Sequence, residues 1–258
     1  MLTAPLDPAA IHLHRSGHGT PLVLLHCLGM THHLWDGMKS LEDRHELISY
    51  DLPGHGETAL PESAYGIEEL SEQLHHVMQR EGIPRAHVMG ISLGGLMAQH
   101  FAATWPDMVD KLVLADTTPR YTEEMRAGWV TRAKGARDNG AASMLPLIEK
   151  SWFTPGFVAA AGPAIQFTRR TFEACGGEGY AKACEALGAA DLRALAPRIK
   201  APTLVICGSE ESLAFKEAAA WLGSHVAGAR VEVIPQAGHA TVLEQPEHVT
   251  RLVREFLA

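Results

Sequence analysis

The sequence predicts an α/β fold: a mostly parallel, doubly wound sheet with a helical cap inserted into it. Three observations carry this. Short apolar runs bounded by turn residues alternate with amphipathic stretches of helix length, the pattern of a parallel sheet covered on both faces. A Gly-x-Ser-x-Gly stretch, Gly90-Ile-Ser-Leu-Gly94, stands between one such run and a helix. The alternation then lapses between 119 and 195, where the text is helical, alanine-rich and free of apolar strand runs. That interval is too long for a connection. The expected division is a core of 1–118 and 196–258 and a cap of 119–195.

In chain order, 10–15 alternates Ile11 and Leu13 with His12 and His14, a half-exposed strand. His12 and His14 share a face. Solvent-facing polar positions are the ordinary reading of such a pair, and a metal site is the alternative. The solid apolar run 21–25 reads as a strand buried on both faces. It ends in His26-Cys-Leu-Gly29, a loop whose glycine marks a close backbone approach. A strand at 46–52 leads into a tight turn, Pro53-Gly-His-Gly56. Residues 67–80 form an amphipathic helix with Leu70, Leu74 and Val77 inward. A strand at 86–91 precedes a helix at 93–104 with Leu96, Met97, His100 and Phe101 on one stripe, stopped at Trp105-Pro106. The strand at 111–115 closes at Asp116. Pro146, Pro155 and Pro163 break the helical stretch. The sheet resumes at 203–207 and 230–234. Pro246 opens a last helix with Val249, Leu252, Val253 and Phe256 on one face.

The chemistry centres on Ser92. A strand-to-helix turn this sharp tolerates no side chain two residues either side, hence Gly90 and Gly94. The strain lifts the hydroxyl above the sheet edge, at a helix N-terminus whose free N–H groups face a developing oxyanion. Small Gly94, Gly95 and Ala98 follow where the helix must pack closely. Serine needs a base within reach, and histidine is the usual one. Of the 15 histidines, His239 stands in a loop after a strand and before the final helix, the last slot in the chain order Ser, acid, His. Three carboxylates compete for the acid: Glu211 and its neighbour Glu210 after the strand at 203–207, and Asp116. The oxyanion hole is expected from the N–H groups of Leu28 and Leu93. Cys27 lacks an elbow and a base at useful spacing, so it is no rival nucleophile.

Composition narrows the class. With 22 basic against 30 acidic residues the net charge is −8, and no basic run exists, which argues against nucleic acid or an anionic membrane as partner. Four cysteines without a CxxC pair fit a reducing, cytoplasmic setting. Residues 1–10 show no signal-peptide pattern, and no apolar run reaches membrane-spanning length.

With these residues in place, the chain resembles the α/β-hydrolase superfamily over essentially its whole length, and more narrowly the 3-oxoadipate enol-lactonases. Leu24-Leu-His-Cys-Leu-Gly29, Met89-Gly-Ile-Ser-Leu-Gly-Gly95, Lys111-Leu-Val-Leu-Ala-Asp-Thr117 and Glu244-Gln-Pro-Glu247 carry the resemblance. So do Ser151-Trp-Phe-Thr-Pro155 and Gly179-Tyr-Ala-Lys-Ala-Cys184 in the cap. The resemblance implies Ser92 and His239 as nucleophile and base, an acid three residues after Gly208, and Trp152 near the substrate. At the acid the sequence departs from the family, which has aspartate followed closely by prolines. Here Glu211 is followed by Ser-Leu-Ala-Phe215, so the loop must differ to compensate for the longer side chain.

The expected activity is that of a serine hydrolase of esterase or lactonase type without cofactor or metal. Its substrate by resemblance is a small enol-lactone with a carboxylate tail. Arg132, Arg169 and Arg170 in the cap are candidates to meet that anion, although a solvated face is the commoner fate of such arginines. Two rivals come from other classes. One is a low-turnover binding or signalling protein on the same shell, which a burst without steady state would reveal. The other is a cofactor-free oxygenase or perhydrolase, which oxygen uptake would reveal.

Overall fold

The computed structural model describes residues 11–258. Seven strands form one sheet: β1 (Leu13–Gly17), β2 (Thr20–Leu25), β3 (His45–Tyr50), β4 (Ala86–Ile91), β5 (Val109–Ala115), β6 (Thr203–Gly208) and β7 (Arg230–Ile234). Their spatial order is β1-β3-β2-β4-β5-β6-β7. β1 pairs antiparallel with β3, and every other neighbour is parallel. β2, β4, β5 and β6 are central and nearly all apolar, because both faces are covered.

Two helices of the first half have the bounds their periodicity predicts. These are α1 (Ile67–Arg80), with Leu70, Leu74 and Val77 buried, and α2 (Leu93–Thr104). The single stripe expected on α2 undercounts: all but His100 and Thr104 of its residues are buried, since it packs against both the sheet and α1. The first strand falls on 13–17 rather than 10–15. Its register against β3 runs from Leu13↔Tyr50 to Gly17↔Glu46, so the partner strand sets its ends rather than its own alternation. Of the expected strand, residue 10 lies outside the described residues.

Between β5 and β6 come α3 (Glu123–Asn139), α4 (Leu145–Trp152), α5 (Pro155–Ala160), α6 (Pro163–Ala174) and α7 (Gly177–Ala189). Pro146, Pro155 and Pro163 do not interrupt helices. Each stands in the first turn of one, where its missing N–H costs nothing. Lys182 of α7 ties this stretch to the loop after β3 by donating to the carbonyls of Pro61, Glu62 and Ser63.

Two of the longer elements were not expected. One is a 3₁₀ stretch, His32–Asp43; the other is α8 (Leu213–His225). The buried Phe215, Ala218, Ala219 and Leu222 of α8 have i, i+3, i+4, i+7 spacing, a helical signal present in the sequence. After β7 come a short turn of helix, α9 (Thr241–Glu244), and α10 (Pro246–Leu257), which buries Val249, Leu252 and Val253. No helix among the described residues is long and apolar enough to cross a membrane.

Candidate active site

The loops after β2, β4, β5, β6 and β7 leave the same edge of the sheet, the carboxyl ends of parallel strands, where open α/β sheets bind ligands. Ser92 links β4 to α2 with φ of 52°, a left-handed conformation rare for a residue with a side chain. A Cβ on Gly90 would strike the carbonyl of Gly94, and one on Gly94 would strike that of Leu25. The turn closes only with glycine at both places. Two bonds across to the β5 end lock it: Ser92 N–H donates to Ala115 O at 3.0 Å, and Thr117 Oγ1 donates to Ser92 O at 2.8 Å.

His239 lies beside Ser92 although 147 residues separate them in the chain. Its Nε2 is 3.1 Å from Ser92 Oγ, and its Nδ1 is 2.6 Å from Glu211 Oε2. The other carboxylate oxygen of Glu211 accepts from Ser212 N–H at 2.7 Å. All three side chains are buried. Burial opposes a charge on His239, but the adjacent Glu211, by charge and by hydrogen bond, holds its pKa above the ordinary histidine range.

The other two acid candidates face elsewhere. Asp116 is buried and accepts from Gly208 N–H, Thr241 N–H and, at 2.6 Å, the Thr241 hydroxyl. It thereby fastens the β6 end and the segment after His239 to β5. Burial pushes its carboxyl up to about 8, against the Thr241 donors, which favour the anion. Glu210 is exposed and bonded to the Ser209 hydroxyl.

The loop carrying Leu28 is held by two buried histidines. His26 Nδ1 donates to Cys27 O and its Nε2 accepts from Leu52 N–H; His55 Nδ1 donates to Pro53 O and its Nε2 accepts from Gly29 N–H. Both arrangements need the neutral ring. Burial, and for His26 the neighbouring His55, lowers both pKa values, His26 to about 3. Leu28 lines the cavity in front of Ser92, and Leu93 is the first residue of α2, where helix N–H groups lack partners within the helix.

That cavity holds about 560 Å³ and is walled by Tyr121, Trp129, Arg132, Trp152 and Phe215 together with Ser92, His239 and Glu211. The Trp152 ring centre is 6.0 Å from that of His239. Of the three arginines considered, only Arg132 reaches the cavity: it stacks over Trp129 at 4.3 Å and donates to the Tyr180 hydroxyl. Arg169 pairs with Glu149, and Arg170 lines a separate hollow with His33 and Cys175. Cys27 is buried and its thiol is pushed up by desolvation, so it is unreactive.

Glu244 and Tyr121 were not singled out from the sequence as site residues. Glu244 accepts from Gly238 N–H, beside His239, and from the N–H and hydroxyl of Thr154. It joins the histidine loop to the end of α4. Glu244 opens the Glu244-Gln-Pro-Glu247 stretch of the resemblance, but nothing local marks its partners or Tyr121; the roles of both residues depend on segments distant in the chain.

One grouping of candidate metal ligands occurs among the described residues: His14, His32 and Asp51. His12 is exposed and does not join it. His14, expected to face solvent, instead stacks on His32 at 3.4 Å with the rings 8° from parallel. In that arrangement the in-plane lone pairs run side by side and do not converge on an ion. Asp51 already accepts from the His32 N–H, His32 Nδ1 and Glu57 N–H. His32 and Asp51 form a hydrogen-bonded brace for the loop after β3, with His14 stacked on it.

Known proteins share this architecture. The enol-lactonase of Burkholderia xenovorans superposes with a TM-score of 0.91 at 32% identity, covering 96% of each chain. In sequence, 3-oxoadipate enol-lactonase 2 of Acinetobacter baylyi is 30% identical over 237 residues, 92% of this chain and 88% of that one. A pimeloyl-[acyl-carrier protein] methyl ester esterase of Chromobacterium violaceum is 31% identical over 252 residues, 93% of this chain and 95% of that one. The residue pattern of one family runs through 22–251, from β2 to the last helix. The chain belongs to the alpha/beta hydrolase family.

Proposed function

We propose that the protein is a serine hydrolase of esterase or lactonase type, acting on a small ester or an enol-lactone such as 3-oxoadipate enol-lactone. The observation that carries this reading is the continuous relay from Ser92 Oγ through His239, 3.1 Å and 2.6 Å long, opening on a cavity of about 560 Å³. Enol-lactonases and a methyl ester esterase among the relatives support the reaction class.

In the mechanism, Ser92 Oγ attacks the carbonyl carbon and its proton passes to His239 Nε2. Glu211 holds the imidazole by Nδ1–H and stabilises the imidazolium. The N–H groups of Leu28 and Leu93 receive the oxyanion. His239 returns the proton to the leaving oxygen; water then enters by the same route and frees the acid. The stretch 119–195 acts as the cap, with Trp152 against the substrate. The Arg132 guanidinium meets a carboxylate tail, which fits the anionic product of a lactone ring.

The test is a panel of small lactones and aryl esters assayed with wild type and Ser92→Ala, alongside fluorophosphonate labelling. Ser92→Ala should lower kcat by about 10⁴-fold or more. Active enzyme left unlabelled at Ser92 ends the nucleophilic reading.

A further inference from the structure

Tyr121 is 1% exposed, and no partner at ordinary hydrogen-bond length satisfies its hydroxyl among the described residues; the Ser92 side chain alone approaches it as a hydrogen-bond partner. Buried phenols ordinarily find a full hydrogen-bond partner. This one lies on the wall of the cavity that holds Ser92. Burial pushes the phenol up, while the Arg132 charge and hydrogen bonding with the Ser92 side chain pull against it. The ring has no freedom to turn away. It packs edge-on against Trp129 at 5.2 Å and Phe215 at 6.2 Å, and Phe215 in turn packs on His239 at 4.6 Å.

The sheet order sets the side of Ser92 on which this residue lies. Leu28 follows β2, on one side of β4 and Ser92. Tyr121 follows β5, on the other side, with Glu211 and His239 after β6 and β7 beyond it. The oxyanion faces the Leu28 side. The leaving oxygen must face His239, which protonates it, and so lies on the Tyr121 side.

We propose that Tyr121 is a further catalytic residue, whose phenol O–H donates a hydrogen bond to the leaving-group oxygen as its bond to the acyl carbon breaks. This rests on the reading of Ser92 as nucleophile. The Ser92 Oγ–carbon bond forms and the carbon–oxygen bond breaks, its electron pair going to the leaving oxygen. The proton taken from Ser92 by His239 ends on that oxygen. Tyr121 keeps its own proton throughout. A donor placed there matters most for alkoxide leaving groups, which carry the least stabilised charge, and least for nitrophenolates.

The experiment is Tyr121→Phe assayed on esters of one acyl group with leaving groups graded from nitrophenol to simple alcohols. The ring and its packing remain, and loss of an unsatisfied hydroxyl should leave the melting temperature unchanged or raised. Expected is a kcat/KM loss of about 10- to 100-fold on alkyl esters and about twofold or less on nitrophenyl esters, which steepens the dependence on leaving-group pKa. A uniform loss across the series, no loss, or a change confined to KM for carboxylate-bearing substrates overturns the assignment. Ser92→Ala in the same series separates the two readings. If it matches wild type, the nucleophile falls and Tyr121 with it; if it is dead while Tyr121→Phe is uniform, only Tyr121 falls.

Discussion

Asp116 closes β5, and Glu211 follows β6, the next strand in the sheet. Both are buried and both lie by the segment that carries His239, yet their partners differ in kind. Asp116 is held by donors that build the site: Gly208 N–H, Thr241 N–H and the Thr241 hydroxyl. Glu211 faces the imidazole itself, at 2.6 Å. A carboxylate tied to backbone N–H groups fixes where loops sit. One tied to a titrating ring governs where a proton sits. The longer side chain spans from its own loop to His239, while the shorter one is used up between neighbouring strands.

The largest test of this contrast is Glu211→Gln. The amide offers the imidazole the wrong tautomer and no charge, so kcat should fall by about 10⁴-fold with KM and melting temperature little changed. A variant near wild-type rate would falsify the Glu211 assignment and move the role to Asp116. Glu211→Asp is finer. It retracts the carboxylate by one methylene, and about 100-fold in kcat is expected, since misplacement by an ångström costs that much.

The pH profile sharpens the comparison further. His239 must be unprotonated to accept the Ser92 proton, so kcat/KM falls as pH drops through its pKa. Glu211 holds that pKa above the ordinary value. The acid limb should therefore move to lower pH in Glu211→Gln and stay in place in Asp116→Asn, because burial keeps the Asp116 carboxyl protonated below about 8. Equal displacement in both variants would remove the distinction. The smallest effect on rate belongs to Asp116→Asn. An amide nitrogen cannot accept from Thr241, so the loss should appear as stability, about 1–3 kcal/mol, with about 2–4 °C of melting temperature per kcal/mol. Calorimetry showing wild-type stability with crippled turnover would reverse the two roles.

The sequence by itself determined the local structure: the elbow at Ser92, the bounds of α1, α2, β4 and β7, and the class of the fold. Those are set within a few residues by glycine sterics and by apolar periodicity, which an uninterrupted stretch displays. It also named Ser92 and His239 and put Glu211 among three candidate acids, and the structure brings these three side chains together. Only the tertiary structure placed Glu211, rather than Glu210 or Asp116, against the imidazole, since all three follow strands at one edge and differ in what lies across from them. The same holds for Arg132 against Arg169 and Arg170, for the β1-β3-β2 end of the sheet, and for the unsatisfied hydroxyl of Tyr121. Each depends on strand order and on side chains from segments far apart in the chain meeting in one cavity. No pattern of neighbouring residues encodes such a meeting, because it is the packing of the whole sheet and its helices that creates it.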